Sequence, residues 1–177
     1  MNPLPLSQVS GIVGSGPLFL VSTSDGVRRD VMTLAWHSMH DFSPPLVGIV
    51  MGADHFSREL LDKSRSCVLA IPGADLAPLA VQVGTVSGRA CDKFEAFGIA
   101  TQAAEAVPAP LLADCLVNLE CRVVEILSKY EYVILEVVRA WENPDRADRR
   151  TLHHRGGTKF FASGEEMDLA ALYPQKK

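Results

Sequence analysis

Between Gly84 and Gly98 the chain reads GTVSGRACDKFEAFG, a stretch whose residue types can do chemistry. Ser87 and Gly88 stand just ahead of a short helical segment whose first turn holds Asp92 and Lys93. Backbone N–H groups at such a turn, a hydroxyl, and the charges of Arg89 and Lys93 suit the cradling of a phosphate. Taken alone, the same residues are better read as an ordinary solvated loop. Other catalytic arrangements are missing: the chain has no G-x-S-x-G, no H-E-x-x-H, no P-loop and no G-x-G-x-x-G. His37 and His40 fall on opposite faces of any strand that runs through both, and adjacent His153 and His154 are poorly placed to share one ion, so no metal ligand is assigned. Cys67 and Cys121 sit inside apolar runs, where a thiol acts as a small hydrophobe. Cys91 lies in a more electropositive stretch that could lower its pKa.

The elements that must position these residues are mostly strands. Leu18 to Ser24 is β-branched and ends at the turn dipeptide Asp25-Gly26. Val31 to His37 follows closely enough to form an antiparallel hairpin with it. Leu46 to Gly52, entered through Pro44-Pro45, is apolar enough to be a strand buried on both faces. Ser57 is placed to cap a helix that runs to Lys63 or Arg65. Cys67 to Ile71 reads as a short strand, Asp75 begins a second helix, and Asp92 to Phe97 forms a third. Thr101 to Ala113 reads as irregular and superficial. Val117 to Ile126 and Tyr132 to Trp141 are long strands, DRADRR after Pro144 is a solvated loop, and Lys159 to Ala162 is a last strand. Strands with short helices between them predict a mainly β fold, a closed or partly closed antiparallel barrel.

Composition narrows the class further. The 177 residues suit a single domain spanning 1–177, and 47% hydrophobic with 21% charged excludes intrinsic disorder. A net charge of −4 offers no basic surface for a nucleic-acid backbone. The most apolar stretch, Pro44 to Ala53, is about half the length needed to span a membrane, so no membrane partner is expected. Met1 to Ser10 lacks the charge and apolar core of a signal peptide, so the expected location is cytoplasmic, with reduced thiols.

Five segments in order carry a resemblance. VMTLAWHSM, SPPLVGIVM, ADHFSRELL, VSGRACDKFEAFGI and APLLADCLVNLECRV together resemble the flavin reductase-like family, particularly its flavoredoxin branch. The resemblance runs from about Leu18 to about Trp141. It implies an FMN-binding split barrel of antiparallel Greek-key type, usually a homodimer. Residue by residue, it lays the M-T-x-A-W strand (Met32, Thr33, Ala35, Trp36) along the isoalloxazine. It puts His55, Phe56 and Ser57 at the ribityl chain and phosphate. Ser87, Gly88 and Lys93 come from the S-G-x-x-x-D-K-F loop, with Lys93 as the charge partner of the phosphate. Trp36 and Phe94 could instead be core aromatics.

One position departs from the family pattern. Where many members have Asn before V-M-T, this chain has Asp30. A carboxylate only accepts hydrogen bonds, and a free negative charge near the phosphate would oppose FMN. The alternative is an Asp30 that points into solvent at a turn.

The resemblance implies an FMN-dependent oxidoreductase that passes electrons through bound flavin, with NADH, NADPH or a redox protein as donor. A redox protein or monooxygenase would be its partner. No side-chain acid, base or nucleophile is assigned, because the flavin carries the chemistry. Two alternatives stay open: a non-catalytic flavin- or ligand-binding split barrel, and a split barrel with another cofactor.

Overall fold

The computed structural model describes residues 16–165, 167–169 and 172. The chain opens with an antiparallel hairpin, β1 (Phe19–Ser24) and β2 (Arg29–Leu34), in which Ser24 faces Arg29. Its turn is the predicted Asp25-Gly26. Gly26 takes φ +89°, and the Asp25 carboxylate accepts from the amides of Val27 and Arg28. A second hairpin follows, β3 (His37–Phe42) and β4 (Pro45–Val50), then helix α1 (Phe56–Ser64) and strand β5 (Ser66–Ile71). Helices α2 (Ala77–Thr85) and α3 (Lys93–Ala96) come next, and α3 is capped by Asp92 through the amides of Phe94 and Glu95. A two-residue ladder, β6 (Thr101–Gln102) with β7 (Leu111–Leu112), precedes the long strands β8 (Val117–Leu127) and β9 (Tyr132–Glu142). The described part ends on a separate hairpin, β10 (Leu152–Gly156) and β11 (Lys159–Ala162).

Seven strands make one antiparallel sheet in the order β2-β1-β5-β8-β9-β4-β3. Its two outer strands, β2 and β3, are consecutive in the chain and separated by Ala35 and Trp36 alone. Three Cα steps span at most about 11 Å, so the sheet must roll until its edges meet at that point. That connection makes the sheet a split barrel.

Side-chain alternation explains the layers. Along β1, Phe19 and Val21 point into the barrel with Ile49, Leu69, Cys121 and Leu135. Leu18 and Leu20 point the other way, against Ala80 and Val83 of α2 and Phe94 of α3. β1 is therefore buried on both faces. β4, predicted to be so, is not: Leu46 and Val50 are half-buried, and Val47 and Ile49 face the core. All three helices lean on β2.

Other differences from the sequence reading are local. Val31 to His37 is not one strand, since β2 stops at Leu34 and β3 begins at His37. Residues 101–113 are largely irregular but not superficial, because Val107, Ala109 and Leu111 pack on Val68. Ser57 does not cap α1. The N-cap is His55, without a side-chain cap bond, and the Ser57 hydroxyl points inward.

Candidate functional site

A cavity of about 370 Å3 opens where β2, the start of α1, the end of α2 and the 86–92 loop converge. The N-cap His55 is extended, and its carbonyl accepts from the amides of Arg58 and Glu59. The first-turn amides of Phe56 and Ser57 have no helical acceptor, and both residues line the cavity. Across from them, Gly88 lies flush against the floor. A Cβ there would collide with Asp30 Oδ1 and stand 2.7 Å from Phe56 Cδ1, so only glycine lets the loop approach this closely. Arg89, next in the loop, donates to the Asp54 carbonyl at 3.0 Å and keeps a half-exposed guanidinium at the rim.

A buried charge pair forms part of the cavity floor. Lys93 and Asp30 side chains are each 3% exposed, with Nζ 3.1 Å from Oδ1. Lys93 donates to the carbonyls of Val31 at 2.7 Å and Val83 at 3.0 Å, tying β2 to α2. Ser57 Oγ donates to Asp30 Oδ2 at 2.5 Å. Asp30 Oδ1 has the ion pair but no aligned hydrogen bond. These contacts correct three expectations. Lys93 is a structural cross-link whose charge is matched by Asp30, so it is not available as the phosphate's charge partner. The Ser57 hydroxyl proton is engaged below the floor, leaving its amide to face the cavity. Asp30 is neither in solvent nor a free charge.

A second cavity, of about 540 Å3 and mostly apolar walls, adjoins the first and shares Thr33, Gly84 and Thr85 with it. Leu18, Ala35, Ala80, Val81 and Phe160 line it, and His154 stands at one side. The hydroxyls of Thr33 and Thr85 donate to carbonyls of α2, those of Ala80 and Val81, so both present their apolar sides. His154 Nε2 is 3.1 Å from the Gly157 carbonyl, and its ring lies against Phe160.

The structure brings most of the predicted residues together. Met32, Thr33, His55, Phe56, Ser57, Ser87, Gly88 and Lys93 line the polar cavity, and Ala35 lines the apolar one. Trp36 lines neither. It is 56% exposed in the β2–β3 link, which also rules out a core role, whereas Phe94 is a core aromatic. Cys91 lines neither cavity. The Cys67 thiol is pushed up by the Cys121 thiol beside it and by burial, and burial pushes Cys115 up to about 12, so neither ionises. The sequence reading missed Asp54, Gly84 and Thr85. It also missed His154 and Phe160, which lie beyond the reach of the resemblance. The TLHH…KFF pattern, a cross-strand pairing of histidines with phenylalanines, is the signal that could have found them.

A rolled antiparallel sheet with joined edges, with a helix N-terminus opening beside an apolar slot, defines the FMN-binding split-barrel class. Comparison with known proteins is in accord. Residues 14–162 match the flavin reductase like domain. The chain is 32% identical to the uncharacterized protein YddH of Escherichia coli K12 over 183 residues, covering 93% of this chain and 96% of that one. An FMN-binding domain of a flavin reductases-like enzyme from Shewanella baltica superposes with a TM-score of 0.80 at 27% identity, covering 86% of this chain and 88% of that one. Flavoredoxin of Desulfovibrio vulgaris (Miyazaki F) shares the fold, with a TM-score of 0.80 at 22% identity over 88% of this chain and 91% of that one. The chain belongs to the flavin reductase-like domain family.

The residues present fit FMN chemically. The apolar cavity suits a flat ring, and the Phe56 and Ser57 amides with Arg89 suit a phosphate dianion.

Proposed function

We propose that this protein is an FMN-dependent oxidoreductase that takes electrons from NADH, NADPH or a redox protein and passes them to an acceptor or partner protein. The observation that carries this reading is the adjacency of the two cavities: an apolar slot that shares Thr33, Gly84 and Thr85 with a polar cavity at a helix N-terminus. Bound FMN would supply the hydride and one-electron chemistry. The chain's own residues bind and orient. The Phe56 and Ser57 amides and the Arg89 guanidinium hold the phosphate. Backbone groups from Met32 to Ala35, at the end of β2 and just past it, meet the polar edge of the ring, and Leu18, Ala80 and Phe160 keep water from its faces. Lys93 and Asp30 hold β2 and α2 at the spacing these contacts need.

A homodimer is part of the same proposal. Met39, Phe42, Val124 and Leu127 are exposed on β3 and β8, and Tyr130 is exposed in the turn that follows β8. They offer apolar surface for a second copy. The non-catalytic alternative leaned on a free charge at Asp30, and that charge is paired.

The test is anaerobic titration of FMN-loaded protein with NADH and then NADPH, following bleaching of the flavin band. Bleaching by either supports a nicotinamide donor. Persistence of the band with both leaves the redox-protein donor, and failure of the protein to bind added FMN overturns the reading. Sedimentation of the FMN-loaded protein tests the dimer, with a 19.2 kDa monomer as the result that overturns it.

A further inference from the structure

Past the phosphate end, the site does not stop. A third cavity, of about 390 Å3, adjoins the polar one across a thin wall made of Phe56 and Gly88. FMN, with a flat ring and one phosphate, is accounted for by the first two cavities. The third is lined by Arg28 and Arg29. Its aromatic wall is Phe56, with the Arg28 guanidinium 5.1 Å from the ring centroid, while Arg29 is steadied 4.6 Å from the core ring of Phe94, which does not line the cavity.

These arginines are held in place yet not fully engaged. Arg28 donates through Nη2 alone, to Glu59 at 2.8 Å and Asp25 at 3.4 Å. Arg29 donates through Nε alone, to Asp92 at 3.0 Å. Glu59 is held at about 2 by Lys63 and Arg28, so it stays ionised and keeps Arg28 oriented. Asp92, the acid on the wall, already accepts from the amides of Phe94 and Glu95 and from Arg29. A guanidinium carries five N–H donors. Among the described residues, Nε and Nη1 of Arg28 and both terminal nitrogens of Arg29 have no hydrogen-bond partner. Unengaged, pre-oriented guanidinium forks beside an aromatic wall are what a phosphoryl group recognises.

We propose that the Arg28–Arg29 cavity is a second phosphoryl site, which takes a nucleotide phosphate beyond that of FMN. The proposal rests on the FMN reading of the neighbouring cavities. Such a phosphate can reach the site in two ways: joined to the flavin as the adenylate half of FAD, or on a separate molecule as the 2′-phosphate of an adenosine nucleotide such as NADPH.

Calorimetric titration separates these sources. In the first arm, apo-protein is titrated with FMN and with FAD. In the second, FMN-loaded protein is titrated with 2′,5′-ADP and with 5′-AMP. An FAD affinity about fivefold or more above that of FMN assigns the flavin-linked source, and saturable binding of 2′,5′-ADP but not 5′-AMP assigns the separate one. In either case the Arg28→Gln/Arg29→Gln double variant should erase the gain and leave FMN binding as in wild type, and added salt should shrink the gain in the unaltered protein. FMN binding with no gain in either arm overturns the site while the proposed function stands. So does a double variant that loses FMN affinity in step with the gain. If the double variant does not fold, Arg28→Gln, at a half-exposed side chain, gives the same comparison. No FMN binding at all overturns the proposed function and this site together.

Discussion

Among the described residues two carboxylates are buried, and they are held in opposite ways. Glu120, on β8, is fully buried and accepts three N–H donors: the Trp141 indole at 2.7 Å and the amides of Glu105 at 3.1 Å and Ala106 at 2.5 Å. Burial raises its pKa, but those donors outweigh burial and hold it below the usual carboxylate value. It pins the irregular 101–113 segment to the barrel. Asp30, on β2, is 2% exposed and is held by an opposite charge and one hydroxyl, with Oδ1 lacking an aligned hydrogen bond. The first arrangement is closed and serves stability. The second is under-satisfied and lies beneath the candidate site, where incomplete satisfaction is expected to mark function.

Breaking the second arrangement should cost most. Lys93→Met strands a buried carboxylate, and urea unfolding should show a loss of about 3–5 kcal/mol. Because Lys93 shapes the floor and does not bind the phosphate, riboflavin and FMN should weaken together. Loss of FMN binding alone would return Lys93 to the phosphate.

Next comes Glu120→Gln, which turns an amide NH2 toward N–H donors and should cost about 1–3 kcal/mol. This variant also carries a pH signature. Since the folded pKa of Glu120 is depressed, its contribution is present above the unfolded value near 4.5 and is lost as pH falls through the folded value. Wild type should therefore lose stability below about pH 4.5 more steeply than the variant, in unfolding curves from pH 6 to pH 3. Parallel curves would mean that Glu120 is not ionised in the fold.

The smallest effect sharpens the contrast between floor and rim. Arg89→Gln removes a half-exposed charge and should leave stability within about 0.5 kcal/mol. FMN affinity should fall by about fivefold, more at low salt than at high, with riboflavin unaffected. An equal loss for both ligands would move Arg89 away from the phosphate.

Much of this was legible in the chain. LFLVSTS with its Asp-Gly turn, and the two long strands before and after Lys129, announced themselves through β-branched runs and turn residues. β3 did not. HSMHDF is half-buried at its first residue and exposed thereafter, so no apolar alternation marks it. β10 was hidden similarly, its polar LHHRG gaining strand form only from pairing with β11. The site residues were found by motif, but their roles were not. Lys93 and Asp30 are 63 positions apart, and nothing local to either says that they neutralise each other. Ser57 was read as a cap because caps are local, and its actual partner is across the fold.

The irregularity in β3 has a consequence for the open edge of the sheet. Its register shifts between Met39 and Asp41, with His40 in the bulge and bonded to the Tyr132 phenol. β2, the other outer strand, lies under three helices, so β3 is where a foreign strand could be added to the sheet. A kinked ladder carrying two histidines and an aspartate is a poor template for such growth. The bulge thus discourages the edge-to-edge polymerisation that an even strand in that place would invite.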